Sequence, residues 1–349
     1  MTETPIKCVV WDLDDTLWDG VLLEDETVTL KPGVHEIIVE LDRRGILHSI
    51  ASRNNHDDAM RKLAEFDLAD YFLYPAIGWD AKSFSIKRIV ESLNIGMDAV
   101  LFVDDQPFER DEVASQHPDI WCLDSTDYLT LTEHPRLLPK YITEDSARRR
   151  AMYHADLQRQ RDEDNFAGPS QEFLRQLNMI FDISEAAEHD LLRAEELTYR
   201  TNQLNATGRR YTVEMLRAML SRGTHRIIVC ELTDRYGSYG KIGLAVLRVD
   251  DDAWDLELLL FSCRVMSKGV GTVFLTCLRK AAQEQGVRLL ADFKETDRNR
   301  AMFITYAFAG FKEVDRDADD MILMENDLTE IPPTPDHLAL NITVDWSKL

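Results

Sequence analysis

The apolar run Ile6 to Trp11 ends abruptly in the carboxylates Asp12, Asp14 and Asp15, and no other stretch limits so sharply what this chain can fold into. The run is short and rich in β-branched and aromatic residues, so it reads as a buried strand of a parallel sheet rather than a helix. In open α/β sheets ligands bind outside the carboxyl ends of the strands, which is where these acids fall. Two residues apart on an extended chain, Asp12 and Asp14 can face the same way with Leu13 anchored between them. Carboxylates held that close repel unless a cation joins them, and hard divalent ions prefer oxygen donors. A solvated acidic turn is the plainer alternative for this stretch taken alone.

Three further stretches bear on that choice. Ile46 to Ala51 is a second apolar run, ending in Ser52, Arg53, Asn54 and Asn55. Lys82 precedes the helical pattern Ile86, Ile89, Val90 and Leu93. Val100 to Val103 is a third short strand, stopping at Asp104, Asp105, Gln106 and Pro107. Together with Asp12-Leu13-Asp14-Asp15-Thr16, these stretches resemble the four motifs of the haloacid dehalogenase (HAD) superfamily. That resemblance implies Asp12 as a nucleophile that forms an aspartyl phosphate. It implies Asp14 as the acid and base that also lends its main-chain carbonyl to a metal. Ser52, Arg53, Asn54 and Lys82 would hold the phosphoryl group. Asp104 and Asp105 would complete a Mg²⁺ site with Asp12 and Asp14, Asp105 as the direct ligand and Asp104 orienting Lys82.

With 349 residues, 44% of them hydrophobic and 30% charged, the chain can bury two cores. A formal charge of -23 argues against nonspecific binding to nucleic acid or an anionic membrane. No apolar run approaches the roughly 20 residues of a membrane span. The start of the sequence lacks the basic and apolar regions of a signal peptide. Cys8, Cys122, Cys230, Cys263 and Cys277 show no Cys-x-x-Cys spacing, which fits a cytoplasmic protein. Against the acidic background stand Arg148 to Arg150 and Arg209-Arg210, which are either solvated helix faces or docking points for an acidic partner.

Alternating strand and helix patterns up to about Asp127 predict a doubly wound domain, here taken as residues 1–143. Between Trp18 and Lys31 a small hairpin flap stands in for a large cap. Residues 144–170 read as a charged helical linker broken at Gly168-Pro169. Residues 171–349 give a strand at Met179 to Ile183 and helices at Glu188 to Gln203 and Tyr211 to Leu220. Three antiparallel strands follow between Ile227 and Phe261, then a helix at Gly269 to Gln285, a strand at Leu289 to Phe293, a helix at Arg300 to Ala309 and a strand at Met321 to Met324. The tail after Leu328 reads as irregular. This order resembles the GNAT acyltransferase fold. Such enzymes seat a pyrophosphate on a Gly-rich helix start, and Gly269 and Gly271 occupy the matching places, with Met266 where a polar residue is expected. The expected fold class is therefore α/β: an N-terminal HAD-like Rossmannoid parallel sheet with a minimal cap, followed by a C-terminal GNAT-like α/β domain.

A narrower resemblance covers nearly the whole chain. Thr16-Leu17-Trp18-Asp19-Gly20, Ser52-Arg53-Asn54-Asn55 and Val103 to Arg110 resemble the FkbH-like, or HAD-IIIC, family. So do Tyr199 to Tyr211, with its Thr201-Asn202-Gln203-Leu204-Asn205 core, and Ser262-Cys263-Arg264-Val265. The sequence departs from that pattern at Asp15, Arg53, Gln106 and Ser267-Lys268. The resemblance implies a glyceryl transferase and phosphatase that draws on 1,3-bisphosphoglycerate and delivers a glyceryl thioester to an acyl carrier protein in polyketide assembly. It implies Cys263 as the acyl-accepting thiol, with Arg264 and a helix start favouring the thiolate. Thr201, Asn202, Gln203 and Asn205 would supply donors to the glyceryl hydroxyls or thioester carbonyl. A polar helix terminus is the plainer account of those amides. Two other functions fit the sequence, a coenzyme A-dependent acyltransferase with a vestigial HAD domain and a noncatalytic carrier-binding module.

Overall fold

The computed structural model describes residues 4–201 and 203–348. The chain divides into two compact units, Met1–Asp156 and Leu157–Leu349.

The first unit runs β1 (Cys8–Trp11), β2 (Trp18–Asp19), β3 (Thr29–Leu30), α1 (Val34–Arg43), β4 (Leu47–Ser52), α2 (His56–Glu65) and β5 (Ala76–Ile77). It continues with α3 (Lys82–Leu93), β6 (Val100–Asp104), α4 (Pro107–Gln116), β7 (Trp121–Asp124), α5 (Glu144–Ala147) and α6 (Arg149–Asp164), and the boundary between units falls within α6. Five strands form a parallel sheet in the order β5-β4-β1-β6-β7. β1 lies at its centre, which is why Cys8 to Trp11 is wholly buried and carries no alternation. α1 covers the sheet with Val34, Ile37, Ile38 and Leu41, one stripe of a 3.6-residue period. Asn55 caps α2, its side chain accepting from the amides of Asp57 and Asp58, and Pro107 opens α4. β2 and β3 pair antiparallel as the expected flap.

His48 sits in the core of this unit. Its Nδ1 accepts from the Trp11 indole at 3.1 Å and its Nε2 lies 3.1 Å from the Ile38 carbonyl, which requires a neutral ring protonated at Nε2. Burial pushes its pKa down to about 3, against the pull of that carbonyl and with a small contribution from Arg150. The unfolded chain binds a proton near pH 6.5 that the folded ring refuses, so stability falls as pH drops below that value. We expect a loss of about 1.5 kcal/mol between pH 6.5 and 5 from this group. Hydrogen exchange of the β1 amides at the two pH values measures it, and His48→Gln should flatten the difference.

The second unit contains α7 (Ser170–Gln176), β8 (Met179–Glu185), α8 (Leu191–Arg200), α9 (Val213–Arg222), β9 (His225–Asp234), β10 (Gly237–Val249) and β11 (Ala253–Phe261). α10 (Val270–Gln285), β12 (Arg288–Lys294), α11 (Arg300–Phe308), β13 (Phe311–Arg316), β14 (Met321–Asn326) and β15 (Leu338–Ile342) complete it. Eight strands form one mixed sheet, β13-β14-β12-β11-β10-β9-β8-β15. The order of elements is the one expected of a GNAT-like α/β unit. One core packs α10 and α11 on Trp254, Leu256, Leu259 and Phe261, and a second packs α8 and α9 on Leu258 and Leu260.

Two local expectations are corrected. The tail holds a strand, since β15 pairs in parallel with β8 from Leu338↔Met179 to Ile342↔Ile183. α8 stops at Arg200, short of the expected Gln203. Leu204 to Ala206, a few residues on, fill a gap in the sheet, with Asn205 bridging Leu260. β11 and β12 pair only from Ala253↔Arg288 to Leu256↔Ala291. Beyond that, Leu204 to Ala206 lie between them: the Phe261 amide donates to the Leu204 carbonyl at 2.8 Å, the Ala206 amide to Leu259 at 2.9 Å, and the Lys294 amide to Ala206 at 2.9 Å. Diverging strands would otherwise leave those main-chain groups buried and unpaired.

Candidate active site

Asp12 stands just past the end of β1, its amide donating to the Val103 carbonyl at 2.9 Å. The ends of β4 and β6, on either side, bring Ser52 and Asp104 beside it. The Ser52 hydroxyl hydrogen-bonds the Asp12 carboxylate. Lys82, at the first position of α3, donates to Asp12 Oδ1 at 3.0 Å and to Asp104 Oδ2 at 2.5 Å, and all three side chains are buried. Asp104 Oδ1 accepts from the Gln106 amide at 2.7 Å. Asp105 is steadied by Thr16, whose hydroxyl accepts from the Asp105 amide at 3.0 Å.

One carboxylate oxygen from each of Asp12, Asp104 and Asp105 lies within 4.8 Å of the others. Burial raises the pKa of Asp12, and Lys82 opposes the rise. Burial and then the Asp12 charge push Asp104 up to about 6 and raise Asp105 as well. Burial would by itself lower the Lys82 pKa, but Asp12 and Asp104 outweigh it and raise it. One ammonium thus faces three crowded carboxylates, and an all-oxygen donor set of this kind fits a hard divalent cation.

Asp14 is not one of the three converging carboxylates. Its Oδ1 accepts from the Trp18 indole at 2.8 Å and the Leu22 amide at 3.0 Å, and its Oδ2 from Asn54 Nδ2 at 2.9 Å. Burial raises its pKa despite these donors, the direction that suits a proton donor near neutrality. With both carboxylate oxygens occupied, the main-chain carbonyl is the Asp14 group left to face a metal, as the family resemblance implies. Asn54, expected on the phosphoryl group, is buried and holds Asp14 instead. Thr16, Trp18 and Arg110 had no assigned role. Arg110 ties the Asp104 carbonyl at 2.8 Å to Asp124 at 2.6 Å. Their place inside the quoted motifs was the only signal. Trp18→Phe keeps an aromatic side chain but removes a donor from Asp14, and should lower turnover about tenfold, with a lower melting temperature because Trp18 is fully buried in the core. Steady-state kinetics with a thermal melt checks both.

In the second unit Cys263 is exposed and opens a short 3-10 turn, Cys263–Lys268, directly after β11. None of the five cysteines is in a disulfide. Burial raises the pKa of Cys8, Cys230 and Cys277 and pushes Cys122 up to about 11, as befits inert thiols. Arg264 donates to the Tyr239 carbonyl at 2.8 Å. Gly269, at φ 71°, caps the start of α10 with no side-chain hydrogen bond, and Gly271 follows within its first turn. Thr201 is buried and its carbonyl accepts from Asn205. Gln203 is exposed, and Asn202 lies outside the described residues. Asn205 is corrected as a ligand-facing amide: it is buried, donates to Thr201 at 3.3 Å, and accepts from the amides of Thr207 and Gly208.

Residues 18–123 match the family model of haloacid dehalogenase-like hydrolases. The first unit is thus HAD-like over that span, although the span begins after Asp12 and Asp14, whose placement comes from the geometry. Among solved structures, the N-terminal part of the protein BF1531 from Bacteroides fragilis, described as containing a phosphatase domain complexed with Mg, is 29% identical. The match covers 40% of this chain and 41% of that one, with a TM-score of 0.33. The ribosomal-protein-S18-alanine N-acetyltransferase from Escherichia coli is 17% identical over 45% of this chain and 97% of its own, with a TM-score of 0.34. Ard1 from Thermoplasma volcanium is 15% identical over 42% of this chain and 96% of its own, with a TM-score of 0.32. No curated protein matches. Among the described residues no helix is long and apolar enough to cross a membrane.

Proposed function

We propose that this protein is a Mg²⁺-dependent phosphatase and glyceryl transferase that takes the acyl group of 1,3-bisphosphoglycerate, removes its other phosphate and loads it as a thioester on an acyl carrier protein. The observation that carries the phosphatase half is the convergence of Asp12, Asp104 and Asp105 on one point with Lys82 bound between the first two. Asp12, Asp105 and the Asp14 carbonyl would hold the cation, which neutralises charge on the transferring phosphoryl group when bound. Both Asp104 oxygens already accept, from Lys82 and Gln106, which supports its role as the orienting acid.

In the first step an Asp12 oxygen attacks phosphorus while the ester oxygen departs with a proton from Asp14. Ser52 and Lys82 stabilise the equatorial oxygens. In the second, Asp14 takes a proton from water, which attacks the aspartyl phosphate, frees inorganic phosphate and restores Asp12. In the transferase half the Cys263 thiolate attacks the acyl phosphate carbon and expels phosphate. The carrier's phosphopantetheine thiol then takes the acyl group and returns the Cys263 thiol. The exposure of Cys263 at the end of β11 supports that assignment.

Intact-protein mass measurement after incubation with Mg²⁺ and bisphosphoglycerate tests the proposal. A glyceryl adduct that disappears in Cys263→Ala is the expected result, and an adduct that survives this change removes Cys263 from the mechanism.

A further inference from the structure

Arg53, expected on the phosphoryl group, is instead paired with Glu109. Arg53 is the first residue after β4, and Glu109 lies in the first turn of α4, just after β6. β4 and β6 flank β1 on opposite sides, so the pair spans the end of the strand on which Asp12 stands, a gap of about 10 Å between strand axes. Arg53 Nη2 is 3.3 Å from Glu109 Oε1. The Arg53 side chain is 44% exposed and that of Glu109 only 5%. The second oxygen, Glu109 Oε2, is buried and has no hydrogen-bond partner.

A guanidinium has five donors in a rigid fork, and one long contact to one carboxylate oxygen uses little of it. The buried Glu109 anchors the group, while the Arg53 side chain stays 44% exposed beside the strand end that carries Asp12. On the phosphatase reading Ser52 and Lys82 serve the phosphoryl oxygens there, so Arg53 is left for a different negative group. We infer that Arg53 selects phosphate monoesters bearing a second anionic group, a carboxylate or a further phosphate, and that Glu109 is the positioning residue that presents it.

This inference rests on the phosphatase reading above and sharpens it. The substrate keeps negative charge at its acid end when it meets Asp12, so the ester is cleaved before that end becomes a neutral thioester.

3-Phosphoglycerate and glycerol 3-phosphate share a skeleton and differ in the carboxylate, which makes them the test pair for phosphate release. Wild-type protein should favour the former at least tenfold in kcat/KM, with the difference in KM. Arg53→Met should bring the ratio close to one, and Glu109→Gln should lower it severalfold. Binding of the two compounds to the Asp12→Asn protein, followed by calorimetry, gives the same ratio without turnover. A wild-type ratio near one in both measurements, or a ratio that survives Arg53→Met, overturns the inference. Phosphate release from Asp12→Asn at the wild-type rate instead overturns the reading of the site on which it rests.

Discussion

Asp12→Asn should abolish phosphate release, by about 10⁴-fold or more, without lowering the melting temperature of the protein. The loss follows from removing the carboxylate assigned as nucleophile, which touches Lys82 and converges with Asp104 and Asp105, because an amide is too poor a nucleophile to form the acyl phosphate intermediate. The retained stability follows from burial. Asp12 carries a charge that its surroundings disfavour, and Lys82 keeps its 2.5 Å partner in Asp104 when that charge is removed. Asp104→Asn is the contrasting change. It frees the ammonium from the shorter of its two contacts and should weaken both turnover and stability. Phosphate assays with thermal melts on the two variants separate the roles, and an Asp12→Asn protein with normal release would sink the assignment.

Asp234→Ala should destabilise the second unit by about 3–5 kcal/mol. Asp234 meets Arg159 through two contacts, 2.6 Å and 2.9 Å, and the paired side chains are 0% and 5% exposed. The same carboxylate accepts from the Tyr239 hydroxyl at 3.0 Å and the Tyr236 amide at 2.9 Å. Without it the guanidinium, buried over the Tyr239 ring, loses two close contacts to a carboxylate. Arg159→Met should cost less, because the two tyrosine donors still serve Asp234 and the methionine stem fills the space of the arginine chain. Urea titrations of the two variants check the order, and equal losses would contradict this account.

How much of this could be read from the residues alone depended on range. β1, β4 and β6 were legible because a central parallel strand is buried on both faces and so appears as an unbroken apolar run, and the acids that end each run marked the site edge. The pairing of Lys82 with Asp104 was reached only through the family resemblance, since nothing local links residues 22 apart. Asn54 and Asn205 misled for one reason: a polar side chain in a motif looks ligand-facing, whereas each satisfies a buried neighbour, Asp14 in one case and main-chain groups in the other. β15 escaped because a five-residue strand after an irregular stretch takes its identity from β8, about 160 residues earlier in the chain.

The short length that Leu204 to Ala206 occupies against β11 has a bearing on recognition. The Leu259 carbonyl and the Phe261 amide are already engaged on that edge by Ala206 and Leu204, which opposes docking of a peptide-like arm there as one more strand. On the proposed function, a thiol-bearing arm approaching the Cys263 end of β11 would be gripped by side chains and by the amides opening α10, which would make its selection a matter of local chemistry rather than of backbone mimicry.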